Sequence, residues 1–159
     1  MLATGDFAGA VEVLQESIQE EPKNQSLRVE LADALVRKGD LDDARTVLAS
    51  IPEDTTGRER PQNRLEFIEE VAAMDSLEEL RQAVTSAPDD LEIRYQLAIQ
   101  LIVGEHYVEG LDSCMDILRS DREFREDIGR LTMLRVFNML GKGNEIAGKY
   151  RRKMFNLMH

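Results

Sequence analysis

The sequence predicts an all-α fold built from antiparallel helix pairs. Apolar residues recur at helical spacing along much of the chain, as at Leu27, Leu31 and Leu35. Aromatic residues make up only 5% of the 159 residues and Trp is absent, so aliphatic side chains must form most of the interior. The residue pattern of 5–14 returns at 39–48, which indicates an internal repeat.

This repeat has a period of roughly 34 residues. Gly5-Asp6-Phe7 aligns with Gly39-Asp40-Leu41, and Ala, Val and Leu follow at the same offsets in both copies. The glycine ends one helix in a left-handed conformation, and the aspartate side chain caps the next helix. Such a helix–turn–helix period is typical of the tetratricopeptide repeat. We therefore expect a tetratricopeptide-repeat-like right-handed superhelix of antiparallel helix pairs.

The whole chain, 1–159, is predicted to be a single domain of four to five helix pairs. The expected pairs are 1–24, which is incomplete, 25–58, 59–90, which is degenerate, 91–124 and 125–159.

The incomplete first pair begins with Met1 to Thr4, which resemble the last turn of a helix. A second helix is expected from Ala10 to Glu20, with Val11, Leu14 and Ile18 on its buried face. Without a partner helix, this face would be left in water.

Later boundaries follow from turn residues. Glu53 to Asn63 is predicted to be irregular because it contains Thr55-Thr56-Gly57 and Pro61. The subsequent helices are expected at Arg64 to Ala73, Leu77 to Ser86, two within 91–124, Arg125 to Leu140 and Glu145 to Met158. Gly110 takes the position of the small residue at which two paired helices approach closely.

Composition excludes several function classes. The net charge of −11 disfavours binding to nucleic acid or an anionic membrane, because phosphate binding needs clustered Lys and Arg. No apolar run reaches the length of a membrane span, and the N-terminus lacks signal-peptide features. A single cysteine rules out an intrachain disulfide. We expect a cytoplasmic protein.

No constellation of residues predicts chemistry. Cys114 occupies an inward helix position and is expected to be a packed core thiol. His106 and His159 have no metal-ligand spacing, and Gly141-Lys142-Gly143 lacks the phosphate-loop pattern. We expect no catalytic activity, no metal and no cofactor.

Motifs near the end of the chain carry a family resemblance. They are Ala87-Pro88-Asp89-Asp90, the turn Leu140-Gly141-Lys142-Gly143-Asn144 and the basic stretch Lys149-Tyr150-Arg151-Arg152-Lys153. With them, nearly the whole chain resembles the C-terminal tetratricopeptide domain of bacterial YbbN-type co-chaperones, also called chaperedoxins. In that family a thioredoxin-like domain precedes the repeats, and it is absent from this sequence. The resemblance implies a helper in protein folding that holds client proteins and works with chaperones.

The first helices of stacked repeats line a concave groove. By repeat position, the expected lining and partner-binding residues are Val29, Asp33, Val36, Arg37, Tyr95, Ile99 and Ile102. Such a groove suits apolar or helical segments of a partner. The open alternative is that a neighbouring helix or a missing domain covers these residues.

The C-terminal helix differs in charge from the rest of the chain. Residues 142–159 contain five basic residues and one acid, so they carry +4 and residues 1–141 carry −15. On a helical projection, Phe155 points nearly opposite the apolar face, among Arg151 and Arg152. That apolar face holds Ile146, Tyr150, Met154 and Leu157.

Two interpretations of this helix remain open. It caps the repeats with cations that offset the acidic body, or it docks an acidic partner with Phe155 as anchor and the arginines as rim. Its candidate partner-binding residues are Tyr150, Arg151, Arg152 and Phe155.

Two functions are compatible with the sequence. The first is a non-catalytic interaction module of a folding factor, which binds clients and chaperones. The second is a structural role, in which the repeats self-associate or support another domain, with a homodimer through the incomplete N-terminal pair.

Overall fold

The computed structural model describes residues 5–159, and all regular secondary structure in this range is α-helical, which confirms the predicted fold class. None of the helices in these residues is both long and apolar enough to cross a membrane. The helix predicted for Met1 to Thr4 lies outside the described residues. The helices are α1 (Phe7–Glu20), α2 (Gln25–Lys38), α3 (Leu41–Ala49), α4 (Glu59–Val71), α5 (Leu77–Ser86), α6 (Leu91–Val103), α7 (Tyr107–Ser120), α8 (Ile128–Leu140) and α9 (Glu145–Met158).

The helices follow the predicted rhythm. The first helices of the last four pairs begin at residues 25, 59, 91 and 128, so successive ones start 34, 32 and 37 residues apart. The degenerate third pair therefore keeps the repeat spacing, although it lacks the Gly-Asp turn.

The chain forms two compact units, Met1–Leu65 and Glu66–His159. In the first unit, α2 packs against α1 and α3. In the second, α6 packs against α5 and α7, and α7 also contacts α8 and α9. The largest fully buried side chains of the second unit include Phe67, Leu80, Ile99, Leu111, Met133, Phe137 and Tyr150.

The Gly-Asp junctions are formed differently in the two copies. Gly39 has a φ of +97° and ends α2, as predicted. Asp6 caps α1, because its Oδ1 accepts a hydrogen bond of 3.0 Å from the backbone N–H of Gly9. The predicted cap by Asp40 is wrong: its carboxylate makes no cap bond and instead accepts from Lys38 Nζ at 2.8 Å.

The irregular segment predicted for Glu53 to Asn63 is shorter in the structure, because α4 already begins at Glu59. Pro61 lies in the first turn of this helix, where the backbone N–H groups have no intrahelical acceptor and a proline is tolerated. Arg58 fixes the preceding loop by donating to the backbone oxygens of Leu48 and Ile51 at 3.1 and 3.2 Å.

The long helix predicted from Arg125 begins three residues later, at Ile128. Arg125, Glu126 and Asp127 have φ values of +45°, +57° and +70°, so the backbone is left-handed immediately before α8. A run of left-handed residues cannot continue a right-handed helix, and helical spacing of side chains alone does not reveal it.

Candidate partner-binding surfaces

Most of the residues predicted to line a groove in the first unit are buried. Val29, Asp33 and Val36 lie on α2 with 2–3% of their surface exposed. Asp33 Oδ1 accepts a 3.0 Å hydrogen bond from Arg64 Nε on α4, so this carboxylate is held in an internal ion pair. These three side chains therefore pack inside the first unit and do not face a groove. This agrees with the alternative interpretation, in which a neighbouring helix covers the predicted groove residues.

Arg37 is the one partly exposed member of that predicted set in the first unit. Its guanidinium lies 4.7 Å from the ring centroid of Phe7 on α1. The side chain is therefore engaged in the contact between α1 and α2.

The groove residues predicted in the second unit are also buried. Tyr95, Ile99 and Ile102 on α6 expose 3% or less of their surface. The Tyr95 hydroxyl donates a 2.6 Å hydrogen bond to Glu70 Oε2, and burial together with this bond raises the pKa of the phenol. Ile102 meets α7 at Gly110, where a Cβ would lie only 2.9 Å from Ile102 Cγ1.

Charged side chains, rather than those apolar ones, face an open cavity in the second unit. Its volume is about 420 Å³, and Glu66, Glu69, Glu70 and Arg135 line it. Arg135 donates to Glu66 at 3.2 Å and to Glu70 at 3.3 Å, and its guanidinium lies 4.0 Å from the Phe67 ring centroid. The sequence analysis missed this cluster, although Glu66 and Glu70 are spaced four apart on one helix face.

The C-terminal helix α9 separates an inward face from an outward one. Tyr150 is only 1% exposed, and its hydroxyl donates to Asp112 Oδ1 on α7 at 2.6 Å. Burial and this hydrogen bond raise the pKa of its phenol. Tyr150 anchors α9 from inside and cannot contact a partner directly, so its place among the surface candidates is corrected.

Phe155 and the two predicted arginines lie on the outward face. Phe155 is 62% exposed, the most exposed large apolar side chain among the described residues. Its ring lies 4.5 Å from that of His159, one turn further along. Arg151 and Arg152 are exposed as well, and the Arg151 guanidinium lies 5.2 Å from the ring centroid of Phe137.

The cations of α9 differ from most other arginines of residues 5–159 in their lack of ion pairs. Within residues 5–159, none of Lys149, Arg151, Arg152 and Lys153 forms an ion pair with a carboxylate. Elsewhere many arginines pair with carboxylates, including Arg45, Arg60, Arg64, Arg81, Arg94, Arg119, Arg125, Arg130 and Arg135. Phe155, Arg151 and Arg152 lie on one side of the helix and form a surface that we call the α9 outer face. Lys149 and Lys153 lie nearer the inward side, with their Nζ atoms 5.9 and 4.8 Å from the ring centroid of Tyr150.

Cys114 is fully buried, and burial raises the pKa of its thiol to about 12. A thiol of this kind stays protonated at neutral pH and is a poor nucleophile. In the part of the chain that the structure describes, no group of three or more His, Cys, Asp and Glu residues is arranged to hold a metal ion.

Two family models, both described as tetratricopeptide repeat, match residues 1–63 and 70–159. The chain belongs to the tetratricopeptide repeat family. Tetratricopeptide repeat domains are typically non-catalytic modules that bind other proteins through surfaces formed by stacked helices. The interaction partners of this tetratricopeptide repeat chain are therefore expected to be proteins.

Among solved structures, one match is a domain of protein VP0806, of unknown function, from Vibrio parahaemolyticus RIMD 2210633. It is 27% identical, covers 99% of this tetratricopeptide repeat chain and 94% of that chain, and has a TM-score of 0.48. No curated protein sequence matches this one.

Proposed function

We propose that this chain is a non-catalytic interaction module of a thioredoxin-like, cytoplasmic co-chaperone, which assists protein folding by binding client proteins and chaperones. Membership of the tetratricopeptide repeat family supports protein binding in general. The observation that carries the proposal is the α9 outer face, where an exposed aromatic ring lies beside two exposed arginines that form no ion pair within residues 5–159. The resemblance of the C-terminal motifs to chaperedoxins supports the role in folding.

Of the predicted partner-binding residues, Phe155, Arg151 and Arg152 remain candidates for direct contact. Aromatic and Arg side chains dominate binding energy at protein interfaces, and here both types are exposed on one helix. The buried candidates Tyr95 and Tyr150 act through the packing that holds the helices in place.

The proposal is tested by the ability of the full 159-residue chain to suppress aggregation of a model client diluted from denaturant. Light scattering should fall as the chain is added. The variant Phe155→Ala/Arg151→Gln/Arg152→Gln should lose most of this effect. The matched variant Val13→Ala/Lys23→Gln/Lys142→Gln should keep it, because it also removes one exposed apolar side chain and two exposed cations. Unchanged scattering with the wild-type chain would contradict the folding role.

Self-association is the alternative function, and Val13 favours it because this α1 side chain is 46% exposed. The apolar face of α1 offers less support for self-association than the sequence predicts, because α1 packs against α2. Val11 is buried on this face, and Leu14 and Ile18 are half-buried. Sedimentation velocity over a wide concentration range tests this alternative. A dimer that Val13→Asp dissociates would support it, and a concentration-independent monomer would contradict it.

A further inference from the structure

We propose that the α9 outer face binds a short acidic segment of a partner protein that carries one apolar side chain. The inference rests on the proposed function and names the chemistry of the partner. The apolar side chain packs on Phe155, while the carboxylates pair with Arg151 and Arg152.

Charge selects an acidic occupant. Residues 142–159 carry +4 in a chain whose other residues carry −15, and the cations of α9 lack carboxylate partners in residues 5–159. Arginine and carboxylate groups can form bidentate hydrogen bonds, which are stronger than bonds between neutral groups. A carboxylate arriving at this face therefore meets donors that are not already neutralised.

Arg151 is partly positioned before a partner arrives. Its guanidinium lies 5.2 Å from the ring centroid of Phe137, one turn before Phe155. A side chain that is already held in place loses less conformational entropy on binding.

The acidic segment must be short. Arg151 precedes Phe155 by four positions, a rise of about 6 Å along a helix, which an extended chain covers with about two residues. Met158, at the end of α9, lines a cavity of about 500 Å³ together with Arg122, Glu123, Glu126 and Asp127. The carboxylates of this lining outnumber its one arginine, so the cavity disfavours a longer acidic segment.

The same charges disfavour other anionic occupants. A membrane or a nucleic acid extends well past the basic face and meets residues 66–141 of the same unit, which carry a net charge of −10. Their repulsion acts over a Debye length of about 8 Å at physiological salt. A second copy of this chain brings its own net charge of −11, so two bodies repel each other. A short acidic stretch in a flexible segment meets mainly the local positive charge.

Binding of fluorescent peptides to the full chain tests the inference. The probe is an acidic Leu peptide, in which Asp and Glu residues flank one Leu. Two control peptides are compared with it: a Ser peptide, in which Ser replaces the Leu, and a basic peptide, in which Lys and Arg replace the acidic residues. Fluorescence anisotropy should show binding of the acidic Leu peptide, with affinity falling as salt rises. The Ser peptide should bind about tenfold more weakly, and the basic peptide should not bind.

Variants assign the binding to this face. Phe155→Ala should weaken binding of the Leu peptide about tenfold while leaving its salt dependence unchanged. Arg151→Gln/Arg152→Gln should weaken binding and flatten the salt dependence. The controls Val13→Ala and Lys23→Gln/Lys142→Gln should change the affinity by less than about twofold. Thermal unfolding should be similar for all of these variants, because every substituted side chain is exposed.

The inference would be overturned if the acidic Leu peptide did not bind, or if Phe155→Ala bound it as tightly as the wild-type chain does. It would also be overturned if the chain bound phosphatidylserine vesicles more strongly than the peptide, or formed a dimer that these variants dissociate. Failure of the proposed function is recognised separately. If the chain suppresses client aggregation but does not bind the acidic peptide, the proposed folding role is supported and this inference is wrong. If the chain binds the peptide but does not suppress aggregation, this inference is supported and the proposed folding role is wrong.

Discussion

The hydroxyl of Tyr150 on α9 donates a 2.6 Å hydrogen bond to Oδ1 of Asp112 on α7. The bond fixes the rotation of α9 about its axis, because Tyr150 is buried while Phe155, five residues later, is turned outward. The direction in which the outer face points therefore depends on a contact on the opposite side of the helix.

Removing the hydroxyl should cost little, and removing the ring should cost more. Tyr150→Phe loses one hydrogen bond and should lower the free energy of unfolding by about 1 kcal/mol, since Asp112 is exposed and can bond to water. Tyr150→Ala leaves a cavity and should lower it by about 3 to 5 kcal/mol. Urea unfolding followed by circular dichroism measures both values, and equal losses would show that the ring contributes nothing to packing.

Breaking the buried ion pair in the first unit should be strongly destabilising. Asp33→Ala removes the buried carboxylate that pairs with Arg64, whose side chain is 13% exposed, and should lower the free energy of unfolding by about 3 kcal/mol. The exposed pair Arg81–Glu109 provides the control, because Glu109→Ala should cost less than about 1 kcal/mol. Similar losses in the two variants would show that burial does not set the strength of these pairs.

Substitution of Gly110 and of Gly148 by alanine should change the free energy of unfolding in opposite directions. At Gly110 a Cβ would lie 2.9 Å from Ile102 Cγ1 and 3.3 Å from the backbone oxygen of Ala98, so Gly110→Ala should lower the free energy of unfolding by about 1 to 3 kcal/mol. At Gly148 a Cβ would meet only the tip of Arg152 at 3.7 Å. Gly148→Ala should stabilise the helix by up to about 1 kcal/mol, and thermal unfolding of the two variants checks the difference in sign.

Burial of Cys114 predicts a loss of stability at alkaline pH. Its thiol has a pKa of about 12 in the folded chain and 9.0 when unperturbed. Between these values the unfolded state releases a proton that the native state keeps, so the free energy of unfolding falls as pH rises from about 9 toward 12. Below pH 9 both states are protonated and the stabilisation is fully present.

Urea titrations at a series of pH values, for the wild-type chain and for Cys114→Ala, measure this effect. The phenols of Tyr95 and Tyr150 also have raised pKa values and act in the same direction at higher pH, so the comparison is sharpest near pH 9. At pH 9 about half of the unfolded thiols are ionised, so the slope of the free energy of unfolding against pH should be more negative for the wild-type chain by about half a proton. Identical slopes would show that the Cys114 thiol titrates normally in the folded state.

The sequence predicted those features that depend on local signals. Gly39 adopts the left-handed conformation that ends α2, and α9 occupies the predicted residues because Asn144 caps it through a 3.0 Å bond from the N–H of Ala147. The exposure of Phe155 and the burial of Cys114 follow from helical projection. In each case a single helix and its immediate neighbours decide the outcome.

Features that depend on distant residues were missed. The repeat position of Asp33 predicts a place in a groove, but its partner Arg64 lies 31 residues away and holds it inside. The position of Ile99 predicts the same kind of surface, although α6 packs against both α5 and α7 and Ile99 is fully buried. Arg135 is placed by Glu66 and Glu70, which lie more than 60 residues earlier, so its role could not be predicted from its own helix.

The most direct measurement is chemical-shift mapping of the isotope-labelled full chain with a reduced, carboxymethylated and therefore permanently unfolded model protein. Binding should perturb the backbone amides of α9 from Lys149 to His159 most strongly. The same titration with the Phe155→Ala/Arg151→Gln/Arg152→Gln variant should show little change. Perturbations concentrated in other helices, with α9 unaffected, would contradict binding of partner proteins at the α9 outer face.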